Sequence, residues 1–370
     1  MKKYIFSFLF LIVSVKFLNS TSSQSMPVLS YPIGAKINAM GNTYNSLGFD
    51  VFSSLLNPAV VGVLDKKNIG LTTALLYEST ILSFFGYVLP TLDFGNFSFN
   101  TVYLNSFAAK QTDEFNRFTG KEFSYSNLIT SIGWGKEFVI RKVYIGGNIK
   151  FLLETIDGYS RSFLTSGLGA IYRFSSAVDL AGNINNVLNL KLTSTEDDLP
   201  LGINLGIGIK PFEKLNLGFD FGKNIFKGKF SDRYSFGINW SPLKTFSIRA
   251  GKNELESSFG FGVNFKNMSV DYALVLQEYL GFSHRVSLDF KFGKTLDEIW
   301  AERMKTLPAT EELEIIEAKL QTEEEKRRYF QSLFNEAVKN YTTGNYKQAL
   351  NNFNKAKEIQ PEATDIDIYR

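Results

Sequence analysis

Short segments that alternate apolar and polar residues run from about residue 68 to residue 293, and this pattern constrains the fold more than any other feature of the chain. Between Leu201 and Ile209 every second residue is Leu or Ile, and the residues between them are Gly or Asn. The same alternation recurs over residues 259–265 and 286–292 with Phe, Leu and Val. Successive side chains of a strand point to opposite faces, so each segment has one apolar face and one polar or small face. The sequence therefore predicts a large all-β region.

Turn-forming breaks separate these segments. They lie at 141–142, 211–213, 242–244 and 266–267, and longer gaps lie at 111–121 and 193–199. The spacing predicts about fourteen antiparallel strands of about 9 to 11 residues, a length that crosses a bilayer when the strand is tilted. We expect short turns at one end of the strands and long loops at the other, as in membrane barrels.

The polar face of the strands distinguishes a membrane barrel from a soluble sandwich or soluble barrel. That face consists mainly of Gly, Ser and Asn with few charges, whereas a sheet that faces water usually carries many Lys and Glu. The apolar face suits lipid, where strands must close into a barrel because lipid offers no backbone hydrogen bonds. The 35 Phe and 17 Tyr suit aromatic girdles. We therefore favour a transmembrane barrel over residues 67–294, with a narrow and partly filled lumen.

The first residues have the pattern of an export signal. Two lysines precede an apolar run from Tyr4 to Val15, and small polar residues follow between Asn19 and Ser25. The run is too short to span a bilayer and has the length of a signal-peptide core, although a short membrane anchor is the alternative. We predict a signal peptide over residues 1–24.

Composition excludes several classes of function. The formal net charge of +3, from 40 Lys and Arg against 37 Asp and Glu, is too balanced for a nucleic-acid surface. The chain has no cysteine and one histidine, His284, which excludes disulfides, thiol catalysis and metal or catalytic sites that need two histidines. His284 lies near the start of the last predicted strand, where a rim position is expected. We predict no metal and no cofactor. We also predict no enzyme activity, because the Ser–His pair of a barrel lipase would have only His284 available.

Residues 25–66, before the first strand, follow another pattern. Their apolar positions do not alternate cleanly, and Gly34, Gly41, Gly48 and the Asn57–Pro58 dipeptide interrupt them. We expect irregular structure with one or two short helices.

Two stretches of this segment resemble the N-terminal region of FadL-like outer-membrane barrels, in particular the PorV/PorQ (UPF0164-type) branch. That branch has a GAR-x-x-GMG stretch followed by NPA-G-L, and this chain departs from it at Lys36, Asn42 and Val60. The final strand, which ends in Phe290 and Phe292, also resembles the aromatic closing strand of outer-membrane barrels. The residues that match the N-terminal motif are Gly34, Met40, Gly41, Asn57, Pro58 and Ala59.

The resemblance implies a fourteen-stranded barrel with an N-terminal hatch inside it. It also implies transport of hydrophobic compounds such as long-chain fatty acids or, in the PorV branch, a role in protein secretion and attachment. Asn57–Pro58 could fix a turn that holds the hatch, because Pro pins φ and removes a donor. The alternative is that this dipeptide is simply a turn leading into the first strand.

Residues 295–370 change to a composition rich in Glu, Lys, Leu and Ala. Thr295 with Glu298 and Thr322 with Glu325 have capping-box spacing, which indicates two helix starts. Pro308 separates the first helix from a second near 311–320, and two more are expected near 323–342 and 346–359.

The last two helices resemble one tetratricopeptide repeat over about 330–363. A single repeat rarely buries enough surface to stand alone, so it should pack on the preceding helices, a second copy or a partner, and a plain helical hairpin is the alternative. The positions that match the repeat pattern are Leu333, Ala337, Tyr341, Gly344, Tyr346, Ala349, Phe353, Ala356 and Pro361.

Two functional hypotheses follow. In the first, an outer-membrane barrel surrounded by lipid passes hydrophobic small molecules through a lumen gated by the hatch. In the second, the barrel anchors a secretion or assembly scaffold, and the tail, expected in the periplasm, recruits a protein partner. Both hypotheses place a hydrophobic ligand or a protein, and no nucleic acid, among the partners of the chain.

Overall fold

The structure is a computed structural model that describes residues 32–77, 80–115, 117–138, 142–193, 198–277, 280–306 and 323–360. The predicted signal peptide, the helix expected near 311–320, Thr322 and Pro361 lie outside these residues. Two compact units are present, one built from the strands and the other mainly from the helices after residue 296. No helix of the described residues is both long and apolar enough to cross a membrane.

Within the described residues, fourteen antiparallel strands close into a barrel, which confirms the predicted fold class and strand number. β1 (Lys67–Leu75) pairs with β2 on one side and with β14 on the other, and each further strand pairs with the next along the chain. The remaining strands are β2 (Thr80–Leu89), β3 (Asn96–Thr112), β4 (Phe118–Phe138), β5 (Val143–Ile156), β6 (Tyr159–Arg173), β7 (Val178–Lys191), β8 (Leu201–Phe212), β9 (Leu215–Phe226), β10 (Lys229–Leu243), β11 (Phe246–Asn253), β12 (Glu256–Phe265), β13 (Met268–Gln277) and β14 (Gly281–Phe292).

The predicted strand length of about 9 to 11 residues is wrong for most strands. β4 has 21 residues and β3 has 17, and together they occupy most of the gap at 111–121 that was expected to be a long loop. The first five residues of β4 are all exposed, so they show no alternation. A strand segment with both faces exposed has no distinct apolar face. It therefore lacks the period-two alternation from which the strand lengths were predicted.

We call the end of the barrel where β1 begins and β14 ends the termini end, and the opposite end the loop end. Tight turns occur at both ends, which contradicts the expected contrast between them. At the loop end, Asp157–Gly158 and Lys227–Gly228 join β5 to β6 and β9 to β10. All four residues have positive φ, as two-residue hairpin turns require.

Apolar side chains cover the outside of the barrel, as the alternation predicts. Most strands expose large apolar residues at alternating positions, among them Leu71, Phe99, Ile149, Leu168, Leu205, Phe221 and Phe259. His284 lies on this outer face near the loop end, where its Nδ1 is 2.8 Å from the Tyr272 hydroxyl oxygen. The exterior therefore carries many apolar side chains around the barrel, which suits lipid better than water.

Residues 32–66 form the hatch, which lies inside the barrel. The hatch has three short helical segments, α1 (Ala35–Ala39), a 3₁₀ turn (Val51–Leu55) and α2 (Ala59–Val63), where one or two were predicted. α1 contacts β11 to β14, the 3₁₀ turn contacts β1 to β3, and α2 contacts β3, β5 and β6. The hatch therefore reaches opposite parts of the wall.

The second unit is helical. α3 spans Leu296–Thr306, directly after Thr295, and α4 (Glu323–Thr342) and α5 (Tyr346–Ile359) have the predicted bounds. α4 and α5 pack together through Leu333, Ala337, Ala349, Phe353 and Ala356, all of which are buried.

Candidate functional site: the hatch and the lumen

Glycines on the inner face of the strands let the hatch backbone approach the wall. A Cβ on Gly251 would overlap the backbone of Met40 and Gly41, and a Cβ on Gly146 would overlap the carbonyl of Pro58. Gly237 of β10 pairs directly with Gly251, and Gly146 pairs with a glycine of β6. The small residues of the predicted inner face therefore make room for the hatch. Other inner glycines whose Cβ would overlap hatch atoms include Gly70, Gly86, Gly135, Gly169, Gly206, Gly208, Gly218, Gly237 and Gly260.

Hydrogen bonds to hatch backbone groups join it to the wall at several strands. The Asp220 carboxylate of β9 accepts bonds from the backbone amides of Asn45 and Ser46 at 2.8 and 3.0 Å. On β7, the Asn183 side chain donates to the carbonyl of Leu56 at 2.6 Å. Backbone groups buried away from water must find partners, and here the wall supplies them.

The first half of the sequence motif lies where α1 meets β11 to β14. Gly34 has a φ of 103° directly before α1, and a Cβ there would overlap the ring of Phe52. Met40 is fully buried, and Gly41, with a φ of 65°, donates its amide to Ser258 Oγ at 3.0 Å. The glycines are therefore required by both backbone conformation and space.

The second half of the motif lies inside the hatch. Asn57 accepts a bond from the amide of Ala59 at 3.1 Å, and it donates to the Asn45 side chain at 2.8 Å. Pro58 directly precedes α2, and Ala59 is buried at the start of this helix. Asn57–Pro58 therefore joins two parts of the hatch before β1 begins at Lys67.

An apolar cluster fills the lumen beside β1 to β6. Its hatch side chains include Val51, Phe52, Leu55 and Leu56, and its wall side chains are all buried. The rings of Phe52 and Phe84 pack 5.5 Å apart. The wall members include Ala74, Leu82, Phe84, Val88, Val102, Ile129, Leu152 and Phe163, with Leu199 from the β7–β8 connection.

This cluster corrects the expected composition of the inner face. The face is mostly polar or small on β7 to β14, whereas on β1 to β6 buried apolar side chains lie among polar ones such as Asn100 and Lys150. In β2, Leu82 and Phe84 point inward while Ile81 and Phe85 point outward, so the strand is a nearly continuous apolar run. Such a run carries no period-two signal, because both faces are apolar.

Charged side chains are also more frequent in the lumen than the sequence indicated. Arg249 Nη1 lies 2.6 Å from Asp271 Oδ1, and Arg285 Nη2 lies 3.5 Å from Glu256 Oε1. Lys150 is 1% exposed, and its ammonium donates to Asn185 Oδ1 at 2.8 Å. These residues are far apart in sequence, so their juxtaposition follows only from the strand order.

A polar cavity of about 210 Å³ lies at the termini end of the lumen. Lys36, Asp50 and Phe52 of the hatch line one side of it, and Lys36 Nζ lies 3.1 Å from Asp50 Oδ2. The charged lining suits water and hydrophilic solutes. The wall residues include Asn239, Arg249, Asn264, Ser269, Asp271 and Lys291.

The tetratricopeptide-like positions lie on α4, α5 and the turn between them. Gly344 has a φ of 80° in this turn, which a glycine adopts without strain. The ring of Tyr341 packs edge-on against Tyr346 at 5.6 Å, and both are exposed. The helical pairing is present, and assignment to the tetratricopeptide class stays a prediction.

Comparisons with known proteins show the fold. No family model and no curated protein matches the chain. The toluene transporter TbuX of Ralstonia pickettii is similar in structure, with a TM-score of 0.56 at 12% identity over 70% of this chain and 98% of that one. The toluene transporter TodX of Pseudomonas putida gives a TM-score of 0.54 at 14% identity over 70% and 98%. At these identities the likeness shows a shared barrel fold.

Proposed function

We propose that this chain is an outer-membrane channel for hydrophobic small molecules, in which the hatch gates the lumen. The observation that carries the proposal is the apolar cluster between the hatch and β1 to β6. The lumen of a barrel that conducts water and ions is polar. The apolar part of the inner wall, together with the apolar hatch side chains, is instead a surface that favours contact with a hydrophobic solute.

The exterior supports the membrane part of the proposal. Exposed Leu, Ile and Phe side chains surround the barrel, and each of the fourteen described strands pairs with a neighbour on both sides. β1 begins and β14 ends at the same end, with Lys67 opposite Phe292. We place this end, and the helices that follow it, on the periplasmic side.

The substrate class is proposed from two sources. The barrels similar in structure are described as toluene transporters, and the N-terminal motif resembles FadL-like barrels, which implies long-chain fatty acids. Both substrates are apolar over most of their surface. We therefore propose hydrophobic compounds as the class, with long-chain fatty acids as one candidate.

Uptake measurements test the proposal. A strain that lacks the chain should take up labelled toluene or a labelled long-chain fatty acid more slowly, with normal uptake of a small sugar. Complementation with Leu152→Met should restore uptake, whereas Leu152→Asn should not, because Asn places an amide in the buried apolar cluster. Normal uptake of every apolar compound by the deletion strain would refute the proposal.

The tail favours a second candidate function, a scaffold for secretion or assembly. A channel does not need the packed pair α4 and α5, and Tyr346 and Leu350 are exposed on it. We propose that this pair recruits a periplasmic protein. The test compares partners cross-linked to the intact chain with those of a Tyr346→Ala, Leu350→Ser variant, and identical sets would argue against recruitment by this surface.

A further inference from the structure

We propose that Phe52 is the barrier side chain between the apolar cluster and the polar cavity at the termini end. This inference rests on the proposed passage through the lumen and adds the residue that closes it. A hydrophobic solute would meet this ring as it leaves the apolar region, and water from the termini end would meet the same ring from the other side.

The position of Phe52 carries the argument. The side chain is 1% exposed and belongs to the apolar cluster, where its ring packs against Phe84. Phe52 also lines the polar cavity, together with Lys36 and Asp50. Phe84 has no part in the cavity lining. Of these two packed rings, therefore, only Phe52 lies between the apolar cluster and the polar cavity.

Glycines leave room for the ring on the hatch and on the wall. A Cβ on Gly34 would lie 2.8 Å from Phe52 Cγ, and a Cβ on Gly70 would lie 2.9 Å from Phe52 Cε1. The ring therefore fills the space between α1 and β1. A smaller side chain would leave a gap there that neither glycine could close.

An ion pair holds the segment that carries Phe52. Asp50 directly precedes the 3₁₀ turn, and its Oδ2 lies 3.1 Å from Lys36 Nζ of α1. The carbonyl of Asp50 accepts the amide of Ser53 at 3.2 Å. The ion pair joins α1 to the 3₁₀ turn beside the Phe52 ring, and it thereby holds the ring in place. Both residues of the pair also line the polar cavity.

The absence of cysteine from the chain allows a direct test. Val102→Cys places a thiol on a fully buried position of the cluster, opposite Phe84 in the β2–β3 register. The full chain in lipid nanodiscs is exposed to a small water-soluble methanethiosulfonate reagent. We expect slow modification with Phe52 present and a rise of about tenfold or more with Phe52→Ala, because access to a buried site follows its opening.

Phe84→Ala is the matched control. Phe84→Ala also removes one phenyl ring from the apolar cluster, but it leaves Phe52 beside the cavity. The Val102→Cys thiol should therefore be modified as slowly as in the chain that keeps both rings. Equal acceleration by Phe52→Ala and Phe84→Ala would show that both rings only pack the cluster, and it would overturn the proposal. Heat-modifiable gel migration reports that each barrel is folded.

Phe52→Leu keeps the test decisive if Phe52→Ala does not fold. Leucine leaves part of the gap open, so an intermediate rate is expected, and an unchanged rate would overturn the proposal. The uptake assay separates this inference from the proposed function. Fast thiol modification without any uptake of apolar compounds would support the barrier and refute transport, whereas normal uptake with unchanged modification would refute the barrier alone.

Discussion

Gly41 of the hatch and Gly251 of β11 meet backbone to backbone, with no space for a side chain on either residue. A Cβ on Gly41 would lie 2.6 Å from the carbonyl oxygen of Phe236, and a Cβ on Gly251 would overlap the Gly41 amide. The wall and the hatch therefore fit only because both positions are glycine.

Gly251→Ala should weaken the seating of the hatch. Overpacking of a closed contact costs about 1 to 3 kcal/mol, so the thermal midpoint of the barrel should fall and the hatch should become accessible to protease. The control is Gly147→Ala, where the nearest side-chain atom, Leu168 Cδ2, would be at an ordinary 3.5 Å. Equal midpoints for the two variants would contradict the close contact.

Asp220→Leu should destabilise the barrel more than a change to a surface carboxylate. Asp220 accepts two backbone amides of the hatch, and leaving a buried donor without a partner costs about 1 to 3 kcal/mol. Denaturant unfolding of the refolded chain measures the loss. Asp232→Leu is the control, because its pair with Lys223 is exposed and 3.7 Å long, and exposed pairs contribute about 0 to 1 kcal/mol.

The Lys36–Asp50 pair should behave as a coupled unit. Lys36→Met leaves the Asp50 carboxylate, whose side chain is 4% exposed, without its cation. We expect a loss of about 1 to 3 kcal/mol, less than for a fully buried pair because Lys36 is partly exposed. In a double-mutant cycle, Asp50→Asn on top of Lys36→Met should cost little more, and strictly additive losses would disprove the coupling.

Ala337→Leu should separate α4 from α5. Ala337 is fully buried where the two helices approach, so a larger side chain overpacks the contact at a cost of about 1 to 3 kcal/mol. Limited proteolysis of the full chain should then cleave near Gly344 faster than in the parent. Asn335→Leu, at an exposed position of the same helix, is the control, and similar cleavage of both variants would argue against the packed pair.

The alternation of apolar residues with polar or small ones predicted the barrel, because most strands have one face toward lipid and one small or polar face. Leu201–Ile209 shows this alternation directly, and the strand count followed from it. The apolar part of the lumen wall could not be predicted, because the neighbours of Leu82 and Phe84 on the outer face, Ile81 and Phe85, are also apolar. The partners of Asp220 could not be predicted from the sequence either, because Asn45 and Ser46 lie far from it along the chain and approach it only in the folded barrel. The motif residues of the hatch were found by resemblance, whereas Phe52 could be singled out only from the position of the cavity.

The order of the chain has a consequence for assembly. The hatch precedes β1, yet α1 rests on β11 to β14, which are the last strands to be synthesised. The backbone amides of Asn45 and Ser46 therefore have no Asp220 carboxylate to bind until β9 has been synthesised. The hatch is held only where the wall supplies its partners, which include Asn183 of β7, Asp220 of β9 and Gly251 of β11. We therefore expect the closure of β1 on β14 to enclose a segment that the earlier strands already hold.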